Sequence, residues 1–118
     1  MQALQAGIAR VERSIEDHRD VLERSDTIAQ LLRLRLIAEC VGVIELDVSA
    51  ASREAEALPG FQLRTSDRRT NGAFSFGRRS GVLTAHANPV STAFALQALR
   101  MWHDYQAGEM RTTWRELI

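Results

Sequence analysis

The side chains best suited to bind a ligand lie between residues 61 and 86, where arginines alternate with phenylalanines. A guanidinium grips phosphate or carboxylate through a planar fork of hydrogen bonds, and an aromatic ring can stack on a base or a sugar. Asp67 is the only acidic residue in this stretch. The candidates for a small anionic or sugar ligand are Arg68, Arg69, Arg78, Arg79, Phe74, Phe76 and His86, with Arg64 and Phe61 beside them.

Two other interpretations fit the same arginines and phenylalanines. The arginines can belong to a solvated loop whose phenylalanines turn inward and seal the core, or they can bind nucleic acid. Nucleic acid is an unfavoured partner, because fifteen basic residues are balanced by fifteen acidic ones and the chain carries no net charge. The sequence leaves the solvated loop and the ligand site open as alternatives.

Several chemistries are excluded by residue type. All fifteen basic residues are arginines, so a lysine Schiff base is impossible. Cys40 is the only cysteine, which excludes an intrachain disulfide and a cysteine-rich metal site. It lies in an apolar run, where a free cysteine behaves as a small buried hydrophobe. We predict no metal and no cofactor.

The three histidines show no metal-ligand spacing. His18 falls on an apolar stripe, and His86 lies just before a helix start, where it could act as a general base. His103 with Glu39 or Asp104 is the nearest approach to an acid–base pair. The sequence therefore names no catalytic residue, and whether the chain is an enzyme stays open.

Length and composition favour one globular helical domain over residues 1–118. Apolar residues make up 45% of the chain and charged residues 25%, which is typical of folded proteins. No apolar run reaches the roughly 20 residues that cross a bilayer, and no basic-then-apolar leader opens the chain. We expect a cytoplasmic protein without a membrane partner.

The first 46 residues predict two helices. Residues 4–22 carry a narrow, heptad-like apolar stripe that packs on the rest of the domain or on a second copy. Ser25 and Asp26 mark a boundary because both can cap a helix. Residues 28–46 are apolar nearly all round and predict a buried central helix, in which Arg33 and Arg35 need exposed tips or buried anionic partners.

The remaining elements are marked by local capping and turn signals. Asp47 or Ser49 begins a shorter helix through Leu58. Residues 73–76 and 82–85 indicate a small β-hairpin connected by 77–81. Asn88 before proline predicts a strong helix start, Gly108 its end, and the tail around Trp114 one further helical turn. The predicted class is all-α, with antiparallel hairpins of three or four helices and a hairpin or glycine-rich turn near 73–85.

The segments Gly72-Ala-Phe-Ser-Phe-Gly77 and Asn88-Pro-Val-Ser-Thr-Ala-Phe-Ala-Leu-Gln-Ala-Leu99 resemble one repeat of the α/α-toroid enzymes. These are barrels of helical hairpins found in terpene cyclases, prenyltransferases and carbohydrate-active enzymes. The resemblance covers residues 61–105 and implies the carboxy-terminal end of a ring of about six hairpins, whereas this chain has length for two. The Asp-rich motif and the zinc ligands of such enzymes are missing from the sequence.

Two functions follow as expectations. The first is a non-catalytic helical module that self-associates, forms a homo-oligomer, and carries an anion-binding arginine loop. The alternative is a fragment or subunit of an α/α-toroid enzyme acting on a glycan or isoprenoid, with Arg78 or Arg79 holding an anionic group and His86 near the mouth of the site.

Overall fold

The structure, a computed structural model, describes residues 2–108. Four α-helices make up most of this part of the chain: α1 (Gln2–His18), α2 (Ser25–Cys40), α3 (Val48–Ala57) and α4 (Pro89–Gln106). A short 3-10 helix follows α3 at Leu58–Phe61. Three strands, β1 (Glu23–Arg24), β2 (Gly77–Arg79) and β3 (Val82–Leu83), form one antiparallel sheet in the order β1-β2-β3. The prediction of an all-α class with one small hairpin is correct for the helices, but it lacks the third strand of this sheet.

Helix α1 is shorter than its apolar stripe predicts. It ends at His18 rather than Leu22, and the backbone amides of Val21 and Leu22 both donate to the His18 carbonyl in a closing turn. The chain then leaves the helix because Glu23 and Arg24 pair with β2. A pairing partner more than fifty residues away therefore decides where this helix stops.

Helix α2 is the central helix, shifted toward the amino terminus relative to the prediction. It begins at Ser25 and ends at Cys40, six residues before Leu46. The end is set at Gly42, whose φ of +76° is left-handed and whose amide donates to Glu39 O at 3.0 Å. Glycine adopts this conformation without the steric cost that a side chain brings.

Two other helices begin at the predicted caps. Asp47 accepts a hydrogen bond from Ala50 N at 3.0 Å and starts α3. Asn88 accepts from Ser91 N at 2.7 Å and starts α4. Gly108, with a φ of +76°, follows the end of α4 as expected. The turn predicted around Trp114 lies outside the described residues.

The predicted hairpin exists, but its strands are displaced. The pair Gly77–Arg79 and Val82–Leu83 replaces 73–76 and 82–85, so the residues assigned to the connection form β2. Ser80 and Gly81 make the turn with φ values of +50° and +79°. Phe74 and Ser75 form only isolated bridges, to Gln62 and Ala87 respectively. Strand β1 was missed because two polar residues carry no strand pattern.

The core lies where α2 packs on α4. The α2 side contributes the fully buried Leu32 and Leu36, and the α4 side contributes Ala95, Ala98 and Met101. The two alanines let the helices approach closely. Helix α3 and the 3-10 helix add Ala51, Ala55, Leu58 and Phe61 to this core. None of the helices described between residues 2 and 108 has the length and apolarity to span a membrane.

Candidate functional site

The glycine-aromatic turn at residues 72–77 is held together by buried hydroxyl groups. Ser75 is fully buried, and its Oγ lies 2.7 Å from Thr84 O and 2.9 Å from Gly77 O. Ser25, at the start of α2, donates its hydroxyl to Ser75 O at 2.6 Å. These bonds join the turn to the sheet and to the central helix, so the segment has a structural role.

Phe74 points into the core. Phe74 is 2% exposed and belongs to the same buried cluster as Phe61. Its backbone amide donates to Thr92 Oγ1 on α4 at 3.0 Å. A ring in this position cannot stack on a ligand at the surface. For Phe74, the structure therefore agrees with the interpretation in which the phenylalanines turn inward and seal the core.

Phe76 is partly exposed and contacts His86. Their ring centroids are 6.0 Å apart in an edge-to-face arrangement, and Phe76 N donates to His86 O at 2.8 Å. Arg24, which was not among the predicted residues, places its guanidinium carbon 4.8 Å from the centroid of the Phe76 ring. Arg24 also donates two hydrogen bonds to Asp26, and this pairing raises its pKa.

Arg78 and Arg79 differ in their surroundings although they are adjacent. Arg78 lies over the Phe61 ring, 4.7 Å from its centroid, and donates to Gly60 O at 3.1 Å. One of its nitrogens is 3.9 Å from Glu23 Oε1. Arg79 is exposed on the same strand. Arg78 therefore helps to hold the sheet against the 3-10 helix, which leaves Arg79 as the freer of the two.

Arg68 and Arg69 lie on a solvated loop. Arg69 donates from Nε and Nη2 to the Asp67 carboxylate at 3.2 and 3.1 Å, and from its backbone amide at 3.0 Å. These hydrogen bonds lower the pKa of Asp67. Within residues 2–108 no hydrogen bond or ion pair joins this loop to Phe76 or His86. The structure thus divides the predicted candidates between two places.

An ion triad centred on the buried Arg35 joins the first three helices. Arg35 on α2 is 7% exposed, and its Nε donates to the two carboxylate oxygens of Glu54 on α3 at 2.9 and 3.0 Å. Its Nη2 pairs with Glu12 on α1. The sequence signal was an arginine inside an all-round apolar helix, which demands an anionic partner. Which carboxylates would serve could not be read from the sequence.

The triad shifts the ionisation of its members. Burial raises the pKa of Glu54 over the opposing pull of Arg35, and the nearby negative charge of Glu12 adds to the rise. Burial also opposes the charge on Arg35, but two carboxylates outweigh it and raise the Arg35 pKa. The charged form of Arg35 is therefore stabilised by two carboxylates, whereas the charged form of Glu54 is disfavoured by its burial.

Three clefts surround α1. One of about 390 Å³ lies between α1, α2 and α3 and includes Ile15, Glu54 and Arg53. Another of about 400 Å³ shares Ile15 and continues to Val21 beyond the end of the helix. The third, of about 170 Å³, borders Ile8. Helix α1 therefore covers the helices beneath it only in part.

No family of known proteins, no curated protein and no solved structure matches this chain. The resemblance of residues 61–105 to α/α-toroid repeats stays a prediction. The part of the chain that the structure describes holds no group of three or more His, Cys, Asp or Glu residues arranged to bind a metal ion. The class that the structure defines is a mostly helical protein with a small three-stranded sheet.

Proposed function

We propose that this protein is a non-catalytic helical module that self-associates through the α1 face, meaning the apolar stripe Leu4, Ile8, Val11 and Ile15 with Val21 beside it. The observation that carries the proposal is the incomplete burial of this stripe. In a helix of 17 residues, Ile8 is the one buried side chain, at 7% exposure. A second copy seated here would cover the remainder.

The clefts beside the α1 face match the needs of a symmetric contact. Apolar surface at Ile15 is continuous with both of the larger clefts, and the 63% exposed Val21 extends it. The cleft between α1 and α3 is bordered by both signs of charge, including Glu16, Arg13 and Arg53. A two-fold interface pairs a surface with itself, so mixed charge allows each sign to meet its opposite.

The heptad-like spacing of the stripe favours a helix as the covering element. Apolar residues that alternate between three- and four-residue steps form a seam for one neighbouring helix. Helix α1 contacts α2 of its own chain, yet Leu4, Val11 and Ile15 are only partly buried. The α1 of a second copy would cover what remains exposed of these three residues. The partner that binds the α1 face is therefore a second copy of this chain.

The anion-binding part of the proposal narrows to Phe76 and His86, with Arg24 added; Arg79 is exposed on β2. Phe76 has the Arg24 guanidinium near its ring and His86 at its edge, and all three residues are at least partly exposed. A phosphate or carboxylate can meet Arg24 and His86 there. The alternative, a piece of an α/α-toroid enzyme acting on a glycan or isoprenoid, rests on the resemblance alone.

Sedimentation equilibrium of the wild type, Val21→Glu and Leu96→Glu tests self-association. Val21 lies on the α1 face, whereas Leu96 is 55% exposed on α4 and serves as the matched control. We expect a wild-type dimer, a Leu96→Glu dimer, and a Val21→Glu protein whose dissociation constant rises at least about tenfold, since burying one valine contributes about 1.5–3 kcal/mol. A monomeric wild type, or equal association of the two variants, contradicts the proposal.

A further inference from the structure

The central helix carries a cation for which the described residues provide no carboxylate. The Arg33 guanidinium carbon lies 5.3 Å from the centroid of the Phe94 ring on α4, and Nη1 donates to Gln30. The Arg33 Nε is buried and has no hydrogen-bond partner anywhere in residues 2–108. Burial lowers the pKa of Arg33, whereas the two neighbouring carboxylates raise that of Arg35.

Apart from Gln30, the residues around Arg33 on this surface are apolar, and several of them are exposed. Leu34 and Val41 are 36% and 43% exposed, and Ile37 lies between them at helical spacing. On α4, Val90 is 57% exposed and stands one turn before Phe94. We call this surface the α2–α4 face. It consists of Arg33, Leu34, Ile37, Val41, Val90 and Phe94.

We propose that the α2–α4 face binds an amphipathic helix of another protein that presents one carboxylate among apolar residues. The apolar residues would cover Leu34, Ile37 and Val41, and the carboxylate would pair with the outer nitrogens of the partly exposed Arg33 guanidinium, since Nε itself is closed to solvent. Binding of an amphipathic helix to such a face depends on apolar anchor residues spaced three and four positions apart. This surface is separate from the α1 face, so the inference does not depend on self-association.

Charge complementarity selects this partner over the alternatives. A wholly apolar helix would bury the Arg33 charge further without giving it an anion, which costs binding energy. A second copy is unsuitable as well, because a two-fold contact meets the same face and none of its six residues is acidic. A nucleic acid would set phosphates against the exposed Leu34 and Val41. A carboxylate flanked by apolar side chains complements both the charge of Arg33 and the apolar residues around it.

The test uses three designed helical peptides with the same leucine stripe, and with Glu, Gln or Lys at one position beside it. Binding is followed by fluorescence anisotropy, and contact at the face by the side-chain Nε–H signal of Arg33 in an NMR titration. A hydrogen bond to a charged group contributes about 1.5–3 kcal/mol, so we expect the Glu peptide to bind roughly ten- to a hundredfold more tightly than the Gln peptide.

Matched variants connect the preference to Arg33. Arg33→Met keeps an unbranched apolar stem but removes the guanidinium, and it should bind the Glu and Gln peptides equally. Arg100→Met changes an exposed arginine elsewhere on α4, and Val21→Glu changes the α1 face; both should keep the wild-type preference. Binding of no peptide, equal wild-type binding of the Glu and Gln peptides, or a preference that survives in Arg33→Met overturns the inference. None of these results bears on the oligomeric state.

Discussion

The Arg35 Nε donates to both carboxylate oxygens of Glu54, at 2.9 and 3.0 Å, across the interface between α2 and α3. The guanidinium is almost fully buried, and its Nη2 pairs with Glu12 on α1. Three helices from the first half of the chain therefore meet at one charge. The position of α1 over its clefts depends on this charge as well as on Ile8.

Removing Arg35 alone should destabilise the fold strongly. Arg35→Met leaves the 13% exposed side chain of Glu54 without its ion-pair partner, and breaking a buried pair in this way costs about 3–5 kcal/mol. The double variant Arg35→Met/Glu54→Leu should recover most of the loss, because no uncompensated charge remains at the α2–α3 contact. Urea denaturation of both variants measures the difference.

The exposed pair of Arg19 and Glu16 supplies the control for that experiment. Its two side chains are 54% and 67% exposed, so Arg19→Met should change the unfolding free energy by less than about 1 kcal/mol. Equal losses in Arg35→Met and Arg19→Met would mean that the triad contributes no more than a surface pair.

The raised pKa of Glu54 predicts a specific pH dependence of stability. A carboxyl whose folded pKa lies above its unfolded value near 4.5 stabilises the fold below that value, and this contribution is lost as the pH rises through the folded pKa. Glu54→Gln removes the titration. The unfolding free energy of the wild type minus that of Glu54→Gln should therefore fall as the pH rises above 4.5.

Urea denaturation of the two proteins at a series of pH values measures this difference. Because other titrating groups are common to both proteins, they cancel in the subtraction. A difference that rises with pH, or stays level, would show that Arg35 dominates over burial in setting the ionisation of Glu54.

Gly77 should tolerate no side chain. A Cβ at this position would lie 2.4 Å from Glu23 O, so Gly77→Ala must push β1 away from β2. We expect a loss of about 1–3 kcal/mol, as for other overpacked sites. Thermal unfolding compares it with Gly7→Ala on α1, where a Cβ meets nothing within 4 Å. That control should gain about 0.5–1 kcal/mol from higher helix propensity, so a similar gain at Gly77 would disprove the close approach.

The cap of α4 should contribute measurably to stability. Asn88 Oδ1 accepts from Ser91 N at 2.7 Å, so Asn88→Ala leaves that amide without its partner. The expected loss is about 1 kcal/mol, and Asn88→Asp should retain most of the stability because a carboxylate also caps. Chemical denaturation measures both variants, and equal losses in the two would rule out capping as the cause.

The predicted ligand site shows where sequence reasoning is limited. Alternation of arginine and phenylalanine placed seven residues in one candidate site, yet Phe74 is buried and Arg69 pairs with Asp67 on a separate loop. Phe76 and His86 do come together. Sequence neighbours share a site only if the backbone brings their side chains to one surface. Here the hydrogen bond from Phe76 N to His86 O joins those two residues, and the pairing of β1 with β2 brings Arg24 beside them.

The sequence by itself determined the features that depend on a few neighbouring residues: the caps at Asp47 and Asn88, the end of α4 at Gly108, and the apolar character of the central helix. Tertiary structure alone decided that Glu54 and Glu12 would neutralise Arg35 while Arg33 received no carboxylate. The physical reason is the separation along the chain over which each interaction acts. Capping acts within one helical turn, whereas pairing a buried charge depends on which distant segment the folded chain places against it.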